Sequence, residues 1–117
     1  MLTTQIALEK MRELCVSLPD TSERLHLGEA TFHVGGKAFA SCGDKDGACR
    51  FVFALEPEHA EHLLGSDQRF ARHPNARECL VLHAAEAKSW AEVKKLVLGS
   101  YQLVVERQRA KPVGSNT

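Results

Sequence analysis

Residues 31–42, Thr-Phe-His-Val-Gly-Gly-Lys-Ala-Phe-Ala-Ser-Cys, decide the fold of this 117-residue chain. Phe32 and Val34 lie on alternate positions before a Gly-Gly pair, which is the pattern of a half-buried strand. Glycine tolerates positive φ at both central positions of a two-residue turn. We therefore predict a β-hairpin in which Gly35 and Gly36 form the turn and residues 37–42 return as the second strand.

The segments on either side extend this hairpin. Residues 25–34 continue the alternating pattern towards the N-terminus, with an interruption at Gly28 that indicates a bulge or a bend. Residues 43–47, Gly-Asp-Lys-Asp-Gly, have the composition of a second turn, because Asp side chains bond the nearby backbone and glycine supplies the left-handed residue. Residues 50–55 then read as a third strand, so the centre of the chain is predicted to be a three-strand meander.

Helical periodicity marks both ends of the chain. Residues 4–18 carry an apolar stripe at i, i+3, i+4 and i+7, and Pro19 ends it. Ser89 and Glu92 match a capping box at the start of a final helix that should run to about Arg107. The apolar stripe of that helix consists of Trp90, Val93, Val97, Tyr101 and Val104.

A shorter helix and one or two further strands lie between these parts. Pro57 suits a first helical turn, and Gly65 ends the apolar face that follows it. Residues 66–77 are loop-like with a short strand near Phe70, and residues 79–83 form another strand. The prediction is an α+β domain over residues 1–111 with a disordered tail at 112–117. About five strands form an antiparallel sheet, and the N- and C-terminal helices pack on one of its faces.

Composition narrows the function classes. Fifteen Lys and Arg balance fifteen Asp and Glu, so the whole molecule has no long-range field that would attract a polyanion. The chain has no apolar run near the roughly 20 residues of a membrane span and no signal-peptide pattern at its N-terminus. We expect a cytoplasmic protein without a membrane partner.

The four cysteines are expected to be reduced thiols. Cys15, Cys42, Cys49 and Cys79 show no C-x-x-C spacing of the kind that zinc clips and redox dithiols use. Only Cys42 and Cys49, which flank the second turn, could face each other across two strands. A bridge there would need an oxidising compartment.

No catalytic or cofactor motif is present in the sequence, so we predict a non-enzymatic protein without a cofactor. His59 and His62 stand near Glu58 and Glu61, but their order differs from the H-E-x-x-H that places two imidazoles on one helix face. We interpret these four residues as a solvated polar face and predict no metal site.

Charge is segregated locally. Residues 54–67 contain four acidic residues and no Lys or Arg, whereas residues 68–77 are basic. Arginine and lysine side chains are the usual phosphate contacts of DNA-binding proteins. The predicted phosphate-contacting set is Lys37, Arg50, Arg69, Arg72, His73 and Arg77.

Several weak motifs together resemble the MmcQ/YjbR family. They are Leu18-Pro19 after the first helix, residues 31–40 around the Gly-Gly turn, Pro57-Glu58, and residues 100–104, Ser-Tyr-Gln-Leu-Val. His73 and Asn75 match a His-x-Asn seen in some members, whereas Cys79 stands at about the place where the family usually has a Trp. The resemblance implies a fold like the frataxin/CyaY type and a DNA-binding role through a double wing of hairpins.

Three hypotheses of function follow. The first is DNA binding, with the Gly35-Gly36 turn and residues 44–47 as wings beside the predicted phosphate contacts. The second is a protein-interaction or homo-oligomerisation module that uses an apolar patch or a sheet edge, with the oligomeric state left open. The third is frataxin-like cation binding by Glu56, Glu58 and Glu61.

Overall fold

The computed structural model describes residues 3–26, 28–45 and 47–110, and of His26, Lys45, Arg77 and Ala110 only the backbone. The elements are α1 (Thr4–Val16), β1 (Thr21–His26), β2 (Glu29–Val34), β3 (Lys37–Lys45), β4 (Ala48–Ala54), α2 (Pro57–Ser66), β5 (Phe70–His73), β6 (Ala76–His83) and α3 (Trp90–Ala110), with a 3-10 turn at Ala84–Glu86. Within these ranges no helix is both long enough and apolar enough to cross a membrane. The predicted tail at 112–117 lies outside the described residues.

The strands form one antiparallel sheet in the order β1-β2-β3-β4-β6-β5. The predicted α+β class with helices at both chain ends is confirmed, and the sheet has six strands instead of about five. The prediction of one interrupted strand over residues 25–34 was wrong. Gly28, with φ +83°, lies in a tight reversal, so β1 and β2 form their own hairpin. Glycine at positive φ permits a turn as readily as a bend, and the sequence pattern does not distinguish the two.

The Gly35-Gly36 turn is confirmed. Both residues have positive φ, +56° and +84°, as a two-residue turn of type I′ requires. The turn after β3 is shorter than predicted, because Asp44 and Lys45 still pair with Cys49 and Ala48. These polar residues pair through their backbones, which a pattern based on side-chain polarity does not detect. For the same reason β6 begins at Ala76, inside the predicted loop.

One face of the sheet carries the core. Side chains alternate between the two faces along a strand, and residues paired across neighbouring strands share a face. Four such paired residues, all buried, lie on the core face: Phe32, Ala40, Phe53 and Leu80. Both terminal helices contribute apolar side chains to the same core. From α1 these are Ala7, Met11 and Cys15, and from α3 they are Val93, Val97 and Val104. The other face carries Thr31, Ser41, Val52 and Val81, which pair with one another across four strands.

Ser100 connects α3 to the centre of the sheet. It is completely buried, and its hydroxyl accepts a hydrogen bond of 2.8 Å from the Ala54 backbone N–H of β4. The same hydroxyl donates to the Phe39 carbonyl of β3. The hydroxyl of the adjacent Tyr101 donates to the Pro19 carbonyl, and Gln108, near the C-terminal end of α3, donates to the Val34 carbonyl. These bonds fix α3 across the middle strands and so position its outer face.

Candidate binding cleft

The predicted phosphate contacts lie on different parts of the molecule. Arg50 pairs with Gly43 and His83 across the sheet and therefore lies on the face opposite the helices, where its Nε is 3.1 Å from Glu29 Oε2. Arg72 pairs with Leu80 and so belongs to the helix-covered face, where it bonds Glu61 of α2 at 2.6 Å. Lys37 stands at the far end of β3, exposed beside the C-terminal part of α3.

The guanidinium of Arg69 is hydrogen-bonded to two carboxylates. Its guanidinium donates to both oxygens of Asp67 and to both oxygens of Glu92, the shortest bond being 2.7 Å to Glu92 Oε2. It also donates to the Glu86 carbonyl. The hydrogen bond to Glu92 is the main cause that raises the pKa of Arg69. A guanidinium already held at this many positions offers little to a phosphate.

The last two predicted residues lie at or near the β5–β6 turn. His73 Nδ1 accepts a bond of 3.1 Å from the Asn75 backbone, and its side chain borders, together with Arg50, a shallow hollow of about 230 Å³. Arg77 is in β6, but its side chain lies outside the described residues. The structure therefore brings Arg50 and His73 near one hollow and does not bring Arg69, Arg72 or Lys37 to them.

The two turns that were proposed as wings are also far apart in the structure. They lie at opposite ends of β3, whose nine residues at about 3.4 Å each span roughly 30 Å. In a meander, consecutive turns lie at opposite ends of the strands. These two turns therefore do not lie side by side as a double wing.

A mostly apolar cleft lies between α2 and α3. Its volume is about 690 Å³, within the range of about 300–1,000 Å³ that is typical of small-molecule sites. The floor is formed by the apolar residues Leu55, Leu63, Phe70, Leu96 and Leu103. Gly99 leaves an open position on the α3 side, where an added Cβ would meet no atom within 4 Å.

The rim of the cleft is polar, and its most extensively hydrogen-bonded part is the Asp67–Arg69–Glu92 group. The hydrogen bond from Arg69 is the main cause that holds the pKa of Glu92 below its usual value, and the same bond type does so for Asp67. The Lys88 backbone N–H also donates to Glu92 at 2.9 Å. Lys88 and Lys95 complete this side of the rim, and neither forms an ion pair with any residue that the structure describes.

The sequence prediction assigned Glu92 to a capping box, and this is half correct. The Glu92 backbone N–H donates to Ser89 Oγ at 3.3 Å, as expected. The Glu92 carboxylate, however, binds Lys88 N–H and Arg69 instead of the Ser89 backbone. An arginine 23 residues away in sequence competes for this carboxylate, and no local pattern indicates such a partner.

The acidic residues considered for cation binding do not converge. Glu61 is paired with Arg72, Glu56 lies at the start of α2 on the cleft rim, and Glu58 is exposed. Among the described residues no group of three or more His, Cys, Asp or Glu side chains is placed to hold a metal ion.

Fold and cleft together define a two-layer α+β domain in which helices cover one face of an antiparallel sheet and two of them border an apolar cleft. The chain belongs to the YjbR family, whose model matches residues 16–103. None of the curated proteins matches the chain in sequence.

Two solved structures share this fold. A Deinococcus radiodurans protein described as a DUF419 domain aligns with a TM-score of 0.74 and 21% identity, covering 95% of this chain and 87% of its own. A Pseudomonas syringae protein aligns with a TM-score of 0.63 and 16% identity, covering 81% of this chain and 96% of its own. At these identities the likeness concerns the fold.

Proposed function

We propose that this protein is a non-enzymatic binding protein whose α2–α3 cleft holds a small amphipathic carboxylic acid. The observation that carries the proposal is the cleft itself, about 690 Å³ with a floor of leucines and one phenylalanine. An apolar floor of this kind favours a hydrocarbon or aromatic body, because burial contributes about 25 cal/mol for each Å² removed from water.

The rim determines which head group fits. Asp67 and Glu92 are already bonded to Arg69, so they attract a ligand cation less than free carboxylates would. Lys88 and Lys95, by contrast, form no ion pair within 4 Å among the described side chains, and the charge of Lys88 acts on Asp67 and Glu92 only from a longer distance. An acidic head group placed over these lysines would gain charge-assisted hydrogen bonds while the body lies on the leucines.

A cleft-filling substitution tests the proposal. Gly99→Leu places a side chain in the cleft without changing charge, and we expect it to abolish saturable binding of decanoate, measured by displacement of anilinonaphthalene sulfonate. Lys95→Gln should weaken decanoate binding by about two- to fivefold, the effect of one exposed ion pair. Gly65→Leu is the matched control, since Gly65 is also an exposed helical glycine with open space around it but does not line the cleft.

The proposal fails if the wild-type chain shows no saturable decanoate binding, or if Gly99→Leu binds as well as Gly65→Leu. Thermal unfolding of both variants shows whether the fold is retained, so a loss of binding through misfolding is recognised.

Duplex DNA binding, which the family resemblance implies, is the second candidate. Its support is the exposed Lys37, which lines a hollow with Arg107, and the exposed Arg109 near the end of α3, although Arg107 is itself paired with Glu78. Against it stand the zero net charge and the pairing of Arg50, Arg69 and Arg72 with carboxylates. With about three phosphate contacts, log affinity should fall with log salt at a slope near −3.

Fluorescence anisotropy with a labelled duplex at about 50 mM salt tests this candidate. No binding at that salt excludes it. Binding that Lys37→Glu weakens and Gly99→Leu leaves intact would support it, and would place the DNA surface away from the cleft.

A further inference from the structure

Cys42 and Cys49 are neighbours on the β3–β4 hairpin. In the strand register Cys42 pairs with Phe51, and Cys49 pairs with Asp44. Because side chains alternate along a strand, Cys49 and Phe51 point to the same side, so the two cysteines are diagonal neighbours on the helix-covered face. Their side chains lie close enough for the Cys42 thiol to hydrogen-bond the Cys49 thiolate.

The two thiols differ in their access to solvent. Cys42 is completely buried, whereas Cys49 is partly exposed and lines a second cleft of about 700 Å³. The first turn of α1, the end of the hairpin and the segment after β6 border this cleft, through Thr4, Asp44 and Ala84 among others. A small solute can therefore reach Cys49, and Cys42 lies directly behind it.

The proximity of the two thiols also shifts their pKa values in opposite directions. The hydrogen bond from Cys42 is the main cause that lowers the pKa of Cys49 to about 7, with a smaller contribution from Thr4. The same bond, followed by burial, raises the pKa of Cys42 well above its usual value. Burial is also the main cause that raises the pKa of Cys79, and it raises that of Cys15 to about 12. Of the four cysteines, Cys49 alone is activated near neutral pH.

We propose that Cys49 and Cys42 form a peroxide-reactive dithiol, in which Cys49 is the attacking thiol and Cys42 the resolving thiol. This site is separate from the α2–α3 cleft and does not depend on the function proposed for it.

In the first step the Cys49 thiolate attacks one oxygen of a hydroperoxide. A sulfur–oxygen bond forms, the oxygen–oxygen bond breaks, and the other oxygen leaves as an alcohol or water after taking a proton. Cys49 is now a sulfenic acid. In the second step the Cys42 sulfur attacks the Cys49 sulfur, the sulfur–oxygen bond breaks, and water leaves with the Cys42 proton. Two thiols are oxidised to one disulfide, and one peroxide is reduced.

Oxidation of Cys49 also prepares Cys42 for the second step. The largest cause that raises the Cys42 pKa is the hydrogen bond to the Cys49 thiolate, and oxidation of Cys49 removes that thiolate, whereas burial still raises the Cys42 pKa. Disulfides need Cα atoms within about 7 Å, and diagonal neighbours across two strands are about 7–8 Å apart. Closing the bond therefore needs a shift of about 1 Å at the end of the hairpin, next to the turn.

The test is peptide mapping of the full-length, reduced protein after exposure to a small excess of hydrogen peroxide near neutral pH. Trypsin cleaves after Lys37, Lys45 and Arg50, so Cys42 and Cys49 fall in different peptides. We expect these two peptides to become linked, with the loss of two hydrogen atoms. Before oxidation, iodoacetamide should label Cys49 at least about tenfold faster than Cys79, the half-buried control thiol, because burial raises the pKa of Cys79.

Variants separate the two roles. Cys49→Ser should abolish the peroxide reaction, whereas Cys42→Ala should leave a sulfenic acid at Cys49 that dimedone traps. If either variant unfolds, the labelling and mapping of the wild-type chain still decide the question. The proposal is overturned if Cys49 is labelled no faster than Cys79, or if peroxide carries Cys49 to the sulfinic acid without linking it to Cys42.

Discussion

At the scale of single residues, Arg69 is the side chain on which most polar contacts of the cleft depend. It holds Asp67 and Glu92 together, and its side chain is only 19% exposed. Replacing it by methionine would leave two carboxylates facing each other. We expect Arg69→Met to lower Tm by several degrees at neutral pH, since a half-buried charge left without its partner destabilises the fold.

The pH dependence of that loss has a definite sign. The folded-state pKa of Glu92 and of Asp67 is below the usual value, mainly because Arg69 bonds the ionised form. Their contribution to stability is therefore complete above the usual carboxyl pKa of about 4 and disappears as pH falls through the lowered folded-state pKa. The Tm difference between wild type and Arg69→Met should shrink on acidification below about pH 4. Arg107→Met is the control, because the Arg107–Glu78 pair is more exposed, and a difference that persists in acid would contradict this account.

Ser100 is the second residue whose single change should be costly. Ser100→Ala leaves the Ala54 N–H and the Phe39 carbonyl without their partner in the core. Buried polar groups that lose a hydrogen bond cost about 1–3 kcal/mol each. We expect the free energy of unfolding in urea to fall by about 2 kcal/mol with an unchanged m-value. The neighbouring Gly99→Ala, in an exposed helical position, should instead raise it by about 0.5–1 kcal/mol. A Ser100→Ala variant as stable as wild type would show that water replaces the hydroxyl.

At the scale of elements, the Gly35-Gly36 turn sets the register of β2 against β3. Gly36 has φ +84° and open space where a Cβ would stand, so only backbone strain opposes a larger residue there. Gly36→Ala should cost about 1–2 kcal/mol, the penalty of the left-handed region for an L-residue. Gly36→Asn should cost less, because asparagine tolerates this region. Urea unfolding of the two variants compares them, and equal costs would mean that the turn relaxes to another type.

The elements show where the sequence is informative about the fold. The Gly35-Gly36 turn and the stripe of Val93 and Val97 are local signals, and both predictions are confirmed. The turn at Gly28 was interpreted as a bulge or a bend because residues 25–27 and residues 32–34 each alternate with a period of two. Alternation has the same period before and after a reversal, so it does not reveal one.

At the scale of the whole molecule, sequence patterns did not predict the α2–α3 cleft, because its residues are far apart in the chain. The Asp67–Arg69–Glu92 group joins the loop before β5 to the first turn of α3, and the cleft needs α2 and α3 side by side. The basic segment 68–77 was predicted to supply phosphate contacts, and whether its side chains share a face was left open, since in a strand successive side chains point to opposite faces. In the structure, Arg69 pairs with Glu92 of α3 and Arg72 pairs with Glu61 of α2. The zero net charge of the chain agrees with this pairing of cations and carboxylates.

The whole molecule should also unfold as one unit. β3 and β4 are the central strands, and α1 and α3 both pack on β3, so the terminal helices share one core through Met11, Phe53 and Val97. Phe53→Leu should lower the global stability by about 1 kcal/mol. Native-state amide exchange would then accelerate equally in β3, β4, α1 and α3, because these amides exchange through global opening. Amides of the edge strand β1, where Glu23, Arg24 and Leu25 are exposed, should exchange through local opening and stay unchanged. Acceleration in α3 without acceleration in α1 would mean that the two helices belong to separate cooperative units, against the shared core that the structure shows.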